Sequence, residues 1–365
     1  MDVPFLNLQA GYLELKTAID EGILNVLEGG QYIGGSAVDS FEDQWARYCG
    51  VKHAVSVGSG LDALAISLES LGVGPGDEVI VPSHTFIATW LAVSAIGATV
   101  IPVKVDIETC NIEPCALHAA LSSKTKCIIP VHLYGCPADL GPIVRFAEDH
   151  GLYVIEDAAQ SHGARYQGER IGGHSDLVSW SFYPGKNLGA FGDGGCITTN
   201  SSELADKIRL IRNYGSAEKY IHQLRGKNSR LDPIQAVCLS TKLDQLDSWN
   251  SRRQQIAQYY LDNITNKDVT LPAVPDNIDH AWHLFVVRSS KRDCLQAYLL
   301  ENGVQTLIHY PTPPHQQACY LGQYGHLQLP DSQLLSATVL SLPMGPHLTL
   351  REAEYVVDVI NRFQV

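Results

Sequence analysis

The sequence predicts an α/β protein in which a largely parallel sheet lies between helices, followed by a smaller α+β lobe. Three observations carry this. From His53 onward, short β-rich apolar runs alternate with helix-period segments. The segments with chemical character, GSG at 58–60, EDAAQ at 156–160 and FYPGKN at 182–187, each follow a β-rich run, and sheets of this kind bind ligands at the carboxyl ends of their strands. Beyond Thr199 the alternation gives way to longer helical stretches.

In order along the chain, the strand HAVSV (53–57) leads into a helix over Leu61–Leu71, and EVIVP (78–82) into the apolar helical pattern TFIATWLAVSAIG. TVIPVKVD then precedes a helix near Glu113–Leu121, CIIPVHL (127–133) a helix near Asp139–His150, and LYVIE (152–156) the EDAAQ segment. After the strand CITTN come a helix over Glu203–Arg212, a polar stretch with basic residues, and one long helix from about Asp232 to Asn263 that links the lobes. WHLFVVR reads as a strand, Arg292–Glu301 as a helix, VQTLI as a further apolar run and Arg351–Phe363 as the closing helix. The division is a large domain over 1–245 and a small one over 246–365.

A chain of 365 residues that is 45% hydrophobic can bury such a two-lobed core. Its longest apolar stretch falls well short of the roughly 20 residues a membrane span needs, and Met1-Asp2-Val3-Pro4 has no signal-like character. A cytoplasmic protein without membrane association is therefore expected. Nine cysteines without a CxxC pair point away from both disulfides and zinc, so no metal site is expected and most of the thiols should be buried. A net charge of −13 disfavours nucleic acid as a partner. An anionic substrate must then find its counter-charge locally.

The turn Gly58-Ser59-Gly60 opens a helix, where free amides and the helix dipole favour a phosphate, although Ser59 could serve only as a helix cap. Asp157, just past a strand, could cap the next helix or could pair with a protonated ring nitrogen, with Gln160 beside it to bond a phenolic oxygen. Lys186 follows a β-rich run and is surrounded by glycines and aromatics. A lysine semi-enclosed in this way has a lowered pKa and can form a Schiff base with a carbonyl, whereas a lysine in an ordinary loop is surface charge. Ser181 stands where it could add a phosphate hydrogen bond.

The ordered motifs PFLNLQAGY, GSGLDAL, GPGDEVIVPSHTFIATWLAV, IIPVHLYG, EDAAQSHGA, SFYPGKNLGAFGDGG, RNYGS, NSRLDPIQA, WHLFVVR and HYPTPPHQQ cover nearly the whole chain. In them the sequence resembles the DegT/DnrJ/EryC1/StrS sugar aminotransferases. That resemblance implies an aspartate-aminotransferase-like fold of type I and pyridoxal 5'-phosphate (PLP), cycling through pyridoxamine 5'-phosphate. It implies Lys186 as the Schiff-base lysine, Asp157 on the pyridine nitrogen, Gln160 on the phenolic oxygen and Phe86 stacked on the ring. Phe86 could also be a core aromatic of its apolar helix. Ser59, Gly60, Leu61 and Ser181 match the phosphate site, and Asn228 a position that reaches the cofactor of a neighbouring subunit, implying a homodimer with shared sites. Tyr183, Lys219, Tyr220, His309 and Tyr310 resemble positions that contact a nucleotide-linked sugar; Lys219 and His309 could equally be a solvated charge and a satisfied histidine.

The implied reaction transfers an amino group from an amino acid, usually glutamate, to a nucleotide-linked keto-sugar. The lysine motif resembles members acting at C3 of a dTDP-linked 3-keto-6-deoxyhexose, with C4 amination as the alternative. Lys186 argues against relatives that use histidine there for dehydration. Two other classes compete. A scaffold protein on the same fold is opposed by the intact Lys186, Asp157 and Gln160. A nicotinamide dehydrogenase is opposed by a first βα turn that reads GSGLDA without a GxGxxG fingerprint.

Overall fold

In the computed structural model, which describes residues 1–364, seven strands form the central sheet. They are β1 (His53–Val57), β2 (Glu78–Pro82), β3 (Thr99–Val103), β4 (Thr125–Ile128), β5 (Tyr153–Asp157), β6 (Leu177–Ser181) and β7 (Gly195–Thr199). Their spatial order is β1-β7-β6-β5-β4-β2-β3. All neighbours are parallel except β7, which runs against both β1 and β6. The expected largely parallel sheet is therefore present.

Its strands are apolar on both faces because helices cover both. Along β2, Val79 and Val81 enter one core with the helices Gly60–Ser70 and Ala88–Ala95, while Ile80 points into another with Ile128, Val154 and the helix Leu140–His150. A third core joins Trp180 and Cys196 to the helices Ser36–Cys49 and Pro233–Leu243. The C-terminal core gathers Ile256, Tyr260, Leu295 and Val356 around the antiparallel pair β8 (Phe285–Arg288) and β9 (Val339–Leu342). Val3 belongs to this core too, and its amide and carbonyl bond Gly303 O and Gln305 N at 2.8 and 3.0 Å.

Several expected elements are corrected. The single long helix over 232–263 is two, Pro233–Leu243 and Leu246–Asn263, because the first packs on the helices Lys16–Gly29 and Ser36–Cys49 and the second on the closing helix Leu350–Arg362. One straight rod could not serve both surfaces. The strand CIIPVHL ends at Ile128, ahead of Pro130, which has no amide to continue a ladder. The helix near Glu113–Leu121 is a 3-10 turn over Pro114–Ala116 running into the short helix Leu117–Ala120. VQTLI makes only isolated bridges.

The three helices before β1 had no counterpart in the sequence reading. The first two, Leu8–Glu14 and Lys16–Gly29, bury only Ile19 between them. Six of the nine cysteines are buried.

Candidate active site

The Lys186 loop leaves the sheet at Ser181 and re-enters it at Gly195, and these two residues are paired across β6 and β7. Within the loop, Phe182 N bonds Gly194 O at 2.7 Å and Ala190 N bonds Phe182 O at 2.8 Å. A tight turn joins Lys186 N to Tyr183 O at 2.8 Å. Gly189 is required there, because a Cβ would stand 2.4 Å from the Pro184 carbonyl oxygen. Asn187 fixes the next position by donating from its side-chain amide to Asn250 Oδ1 at 2.9 Å and Ala281 O at 2.7 Å.

The ammonium group of Lys186 makes no hydrogen bond to any described residue. Burial pulls its pKa down to about 8, against an opposing pull from Asp157. Asp157, expected one residue past its strand, is the last residue of β5, paired with Ser179. It is 6% exposed, accepts the Thr89 hydroxyl at 2.8 Å and accepts the Ala159 amide at 3.2 Å. Burial pushes its carboxyl pKa up, while Thr89, Ala159 and Lys186 hold it back. The Asp157 side chain thus bonds one amide, two residues on, but it precedes no α-helix: the next is at Ser202.

Gln160 is buried; its side chain accepts from Tyr134 N and donates to the Tyr310 hydroxyl at 3.1 Å. The Tyr134 hydroxyl bonds the His309 carbonyl and faces His84 at 3.0 Å. The His309 ring sits 2.8 Å from Ser341 Oγ, and burial lowers its pKa to about 4 with a further push from Lys186. His309 is therefore a neutral imidazole. Phe86 is 52% exposed, outside the helix that begins at Ala88, and lies 5.4 Å from the Tyr310 ring. This excludes the core-aromatic reading of Phe86.

At the other end of the site, the Ser59 hydroxyl caps the helix Gly60–Ser70 by accepting from Asp62 N at 3.1 Å. The cap leaves the amides of Gly60 and Leu61 without an acceptor among the described residues. The Ser181 side chain closes over them: a Cβ on Gly60 would lie 2.6 Å from Ser181 Cβ, and one on Gly195 would lie 2.3 Å from Ser59 O. Two open amides at a helix N-terminus beside a hydroxyl form a cradle for a phosphate.

The remaining expected residues lie apart. Asn228 is exposed and, among the described residues, pairs only with Asn213 through an isolated bridge. Lys219 and Tyr220 stand on the hairpin 216–222, with Lys219 over the Tyr220 ring at 5.1 Å, and no contact joins them to Lys186 among the described residues. Tyr183 is 59% exposed.

The structure adds residues the sequence did not single out. Thr89 sits four residues after Thr85, whose hydroxyl lies 3.1 Å away; that spacing inside TFIATW was the available signal. Ser229 ties its loop to the cradle by accepting from Gly58 N at 2.9 Å and donating to Asp62 at 2.7 Å.

The profile of the DegT/DnrJ/EryC1/StrS aminotransferase family matches residues 14–361. The chain belongs to that family. Its relatives include the erythromycin biosynthesis sensory transduction protein EryC1 of Saccharopolyspora erythraea, 51% identical over 99% of both chains. A dTDP-3-amino-3,4,6-trideoxy-alpha-D-glucose transaminase of Streptomyces venezuelae is 48% identical, over 99% of this chain and 96% of the relative. A dTDP-3-amino-3,6-dideoxy-alpha-D-galactopyranose transaminase of Aneurinibacillus thermoaerophilus is 48% identical over 99% of both. The crystal structure of S. venezuelae DesV in complex with a ketimine intermediate superposes with a TM-score of 0.97 at 48% identity, covering 99% of this chain and 98% of DesV. The fold is accordingly that of the type I aminotransferases.

Proposed function

We propose that this aminotransferase uses PLP to move an amino group from L-glutamate to the C3 ketone of a dTDP-linked 3-keto-6-deoxyhexose, giving a 3-amino-3,6-dideoxy sugar nucleotide. The observation that carries the chemistry is a desolvated lysine, its pKa drawn to about 8, facing the buried carboxylate of Asp157. Two substrate features rest on relatives: two of them, each 48% identical, are named as dTDP-3-amino-sugar transaminases.

The residues fit the cofactor. The open amides of Gly60 and Leu61, with the Ser59 and Ser181 hydroxyls, would take its phosphate, and Asn228 of a partner subunit would complete that end in a homodimer. Asp157 would hold the ring nitrogen protonated, Gln160 would donate its second amide hydrogen to the phenolic oxygen, and Phe86 would cover the ring face. Bound PLP supplies the electron sink that lets an amino acid lose its α-proton and leave its nitrogen behind.

The chain itself handles the proton. Lys186 would be the group that takes up the α-proton of the donor and hands it on, and with the keto-sugar it would move the proton in the opposite direction. A pKa near 8 suits a group that must both accept and release a proton near neutral pH. His309, neutral and held by Ser341, and Tyr310, held by Gln160, would face the sugar without competing for that proton. Tyr183, Lys219 and Tyr220 would contact the nucleotide from the exposed side.

The test is spectroscopic. Protein loaded with PLP should be yellow, lose that absorption with glutamate, and regain it with a dTDP-linked 3-keto sugar in preference to 4-keto and UDP-linked ones. Protein that ignores added PLP would sink the reading, and preferential recovery with a 4-keto sugar would move the amination to C4.

A further inference from the structure

The short turn beyond β4 holds Tyr134 at a φ of 60°, in the left-handed region that a large side chain seldom adopts. Three bonds keep it there. Its amide donates to Gln160 Oε1, its carbonyl accepts from Leu284 N at 3.2 Å, and its hydroxyl donates to the His309 carbonyl. Gly135, next in the turn, lies so close to the facing segment that a Cβ would stand 2.9 Å from His283 N. A conformation of this kind persists where its surroundings fix it, and such residues gather at functional sites.

The direction of each bond is set. A carbonyl only accepts, so the single hydrogen of the Tyr134 hydroxyl goes to His309 O, and burial, which pushes the phenol pKa up, keeps that hydrogen in place. His84 Nε2, 3.0 Å from the same oxygen, is then the donor to it. Burial lowers the His84 pKa to about 4, so Nδ1, buried without a partner, is bare. On the other side, the Tyr134 amide takes Gln160 Oε1, which turns the Gln160 NH2 group to the Tyr310 hydroxyl at 3.1 Å. Tyr310 follows His309 in the chain. The contacts therefore close a ring, from Tyr134 to Gln160, on to Tyr310, along the backbone to His309, and back to Tyr134. Two hydrogens are left over, the second of the Gln160 amide and that of the Tyr310 hydroxyl, and no described residue accepts either.

We infer that Tyr134 is a positioning residue: its hydroxyl sets the sugar-facing His309 and Tyr310 against the cofactor-facing Gln160, and so governs how the hexose is held without touching it. The inference rests on the aminotransferase reading and on the places given there to Gln160, His309 and Tyr310. Loss of the hydroxyl opens the ring at His309 alone, because the bond to Gln160 comes from the Tyr134 backbone and survives. The loss should fall on the hexose and spare the cofactor and the nucleotide.

Calorimetric titration of the PLP-loaded protein with dTDP and with dTDP-6-deoxy-D-glucose, which has no ketone to react, tests this. Tyr134→Phe should weaken the sugar conjugate about 5- to 30-fold, the range for a lost buried hydrogen bond, and leave dTDP within about twofold. In turnover the KM for the keto-sugar should rise by a similar factor, while the glutamate half-reaction and the spectrum of the bound cofactor hold. Tyr260→Phe deletes a buried hydroxyl bonded to Pro343 O at 3.0 Å in the C-terminal core, and should lower stability without moving the ratio of conjugate to dTDP affinity. Tyr134→Phe combined with Tyr310→Phe should weaken the conjugate by less than the product of their separate effects, since both act through one ring. If Tyr134→Phe fails to fold, His84→Leu, which removes the donor that aims the hydroxyl, should move the ratio in the same direction. Equal weakening of dTDP and its conjugate, a ratio within about twofold of the unaltered protein in every folded variant of this set, or a like shift with Tyr260→Phe would overturn the proposal. Unaltered protein that binds PLP and reacts with glutamate while its variants fail these tests loses only the role of Tyr134; protein that does neither loses the aminotransferase reading.

Discussion

On one side of the site Asp157 and Gln160 are buried, and Lys186 is held by a loop bonded at both of its ends; on the other, Phe86, Tyr183 and Tyr220 are 52, 59 and 83% exposed. The buried side is built from strand ends and a tight turn, so Asp157 and the Lys186 loop have neighbours that fix them, as Thr89 fixes Asp157 and Asn250 fixes Asn187. The exposed side is built from a hairpin and loop aromatics with few such neighbours. Proton transfer needs groups placed to within fractions of an ångström, whereas a large ligand or a second subunit can itself order the surface it covers. On the proposed reading, the chemistry would be carried by the first side and the recognition by the second.

Changes on the buried side should therefore act on the cofactor and those on the exposed side on the sugar. Lys186→Ala should cost more than about a thousandfold in both half-reactions and abolish the yellow colour, while equilibrium dialysis still detects PLP bound without a covalent link. Retained turnover would end the assignment of Lys186.

A second effect appears without cofactor. The folded chain releases the Lys186 proton near pH 8, whereas the unfolded chain holds it to about 10.5, so between those values the unfolded state carries the extra proton and stability rises with pH. Apoprotein with Lys186→Met should exceed the unaltered apoprotein in stability at pH 7 by up to about 3 kcal/mol, and the gap should shrink as pH climbs from 8 towards 10. Denaturant titrations across that range read it, and a gap independent of pH would mean the lysine is better solvated than its burial implies.

Gly60→Ala pushes a methyl against Ser181 and should weaken PLP by about 2 kcal/mol, measured by fluorescence titration. Thr89→Val removes the hydroxyl at 2.8 Å from Asp157; PLP affinity should fall by about 1 to 2 kcal/mol, the pH dependence of the bound-cofactor spectrum should shift, and Thr89→Ser should restore both. The smallest change should come from the exposed side: Tyr220→Ala should raise the sugar-nucleotide KM by a few-fold, worth about 1 kcal/mol or less, with PLP affinity unaltered. A loss of PLP affinity there would erase the contrast between the two sides.

The sheet was legible in the sequence because its strands are apolar runs bounded by turns, and the candidate site was legible because Ser59, Asp157 and Lys186 lie at or just beyond strand ends. The helices Leu8–Glu14 and Lys16–Gly29 were not, since their leucines 8, 13, 24 and 27 remain exposed in the single chain and leave no buried face to read. The break at 244–245 was hidden because each half of the pattern is helical on its own and only the partners differ. Thr89 escaped for a further reason. A threonine in a helix acquires meaning only through what the fold sets against it.

The antiparallel insertion of β7 between β1 and β6 also governs when the site can form. Val57 pairs with Gly195, and Gly195 with Ser181, so the cradle and the lysine loop are closed by one late strand. A nascent chain that has not reached Leu177 already contains Ser59, Phe86, Asp157 and Gln160, yet has neither the lysine nor the ladder that brings β1 alongside. Pairings this distant along the chain form slowly. On the proposed reading, cofactor capture would come at the end of assembly of the large sheet, and the appearance of colour would be a clock for the maturation of the protein.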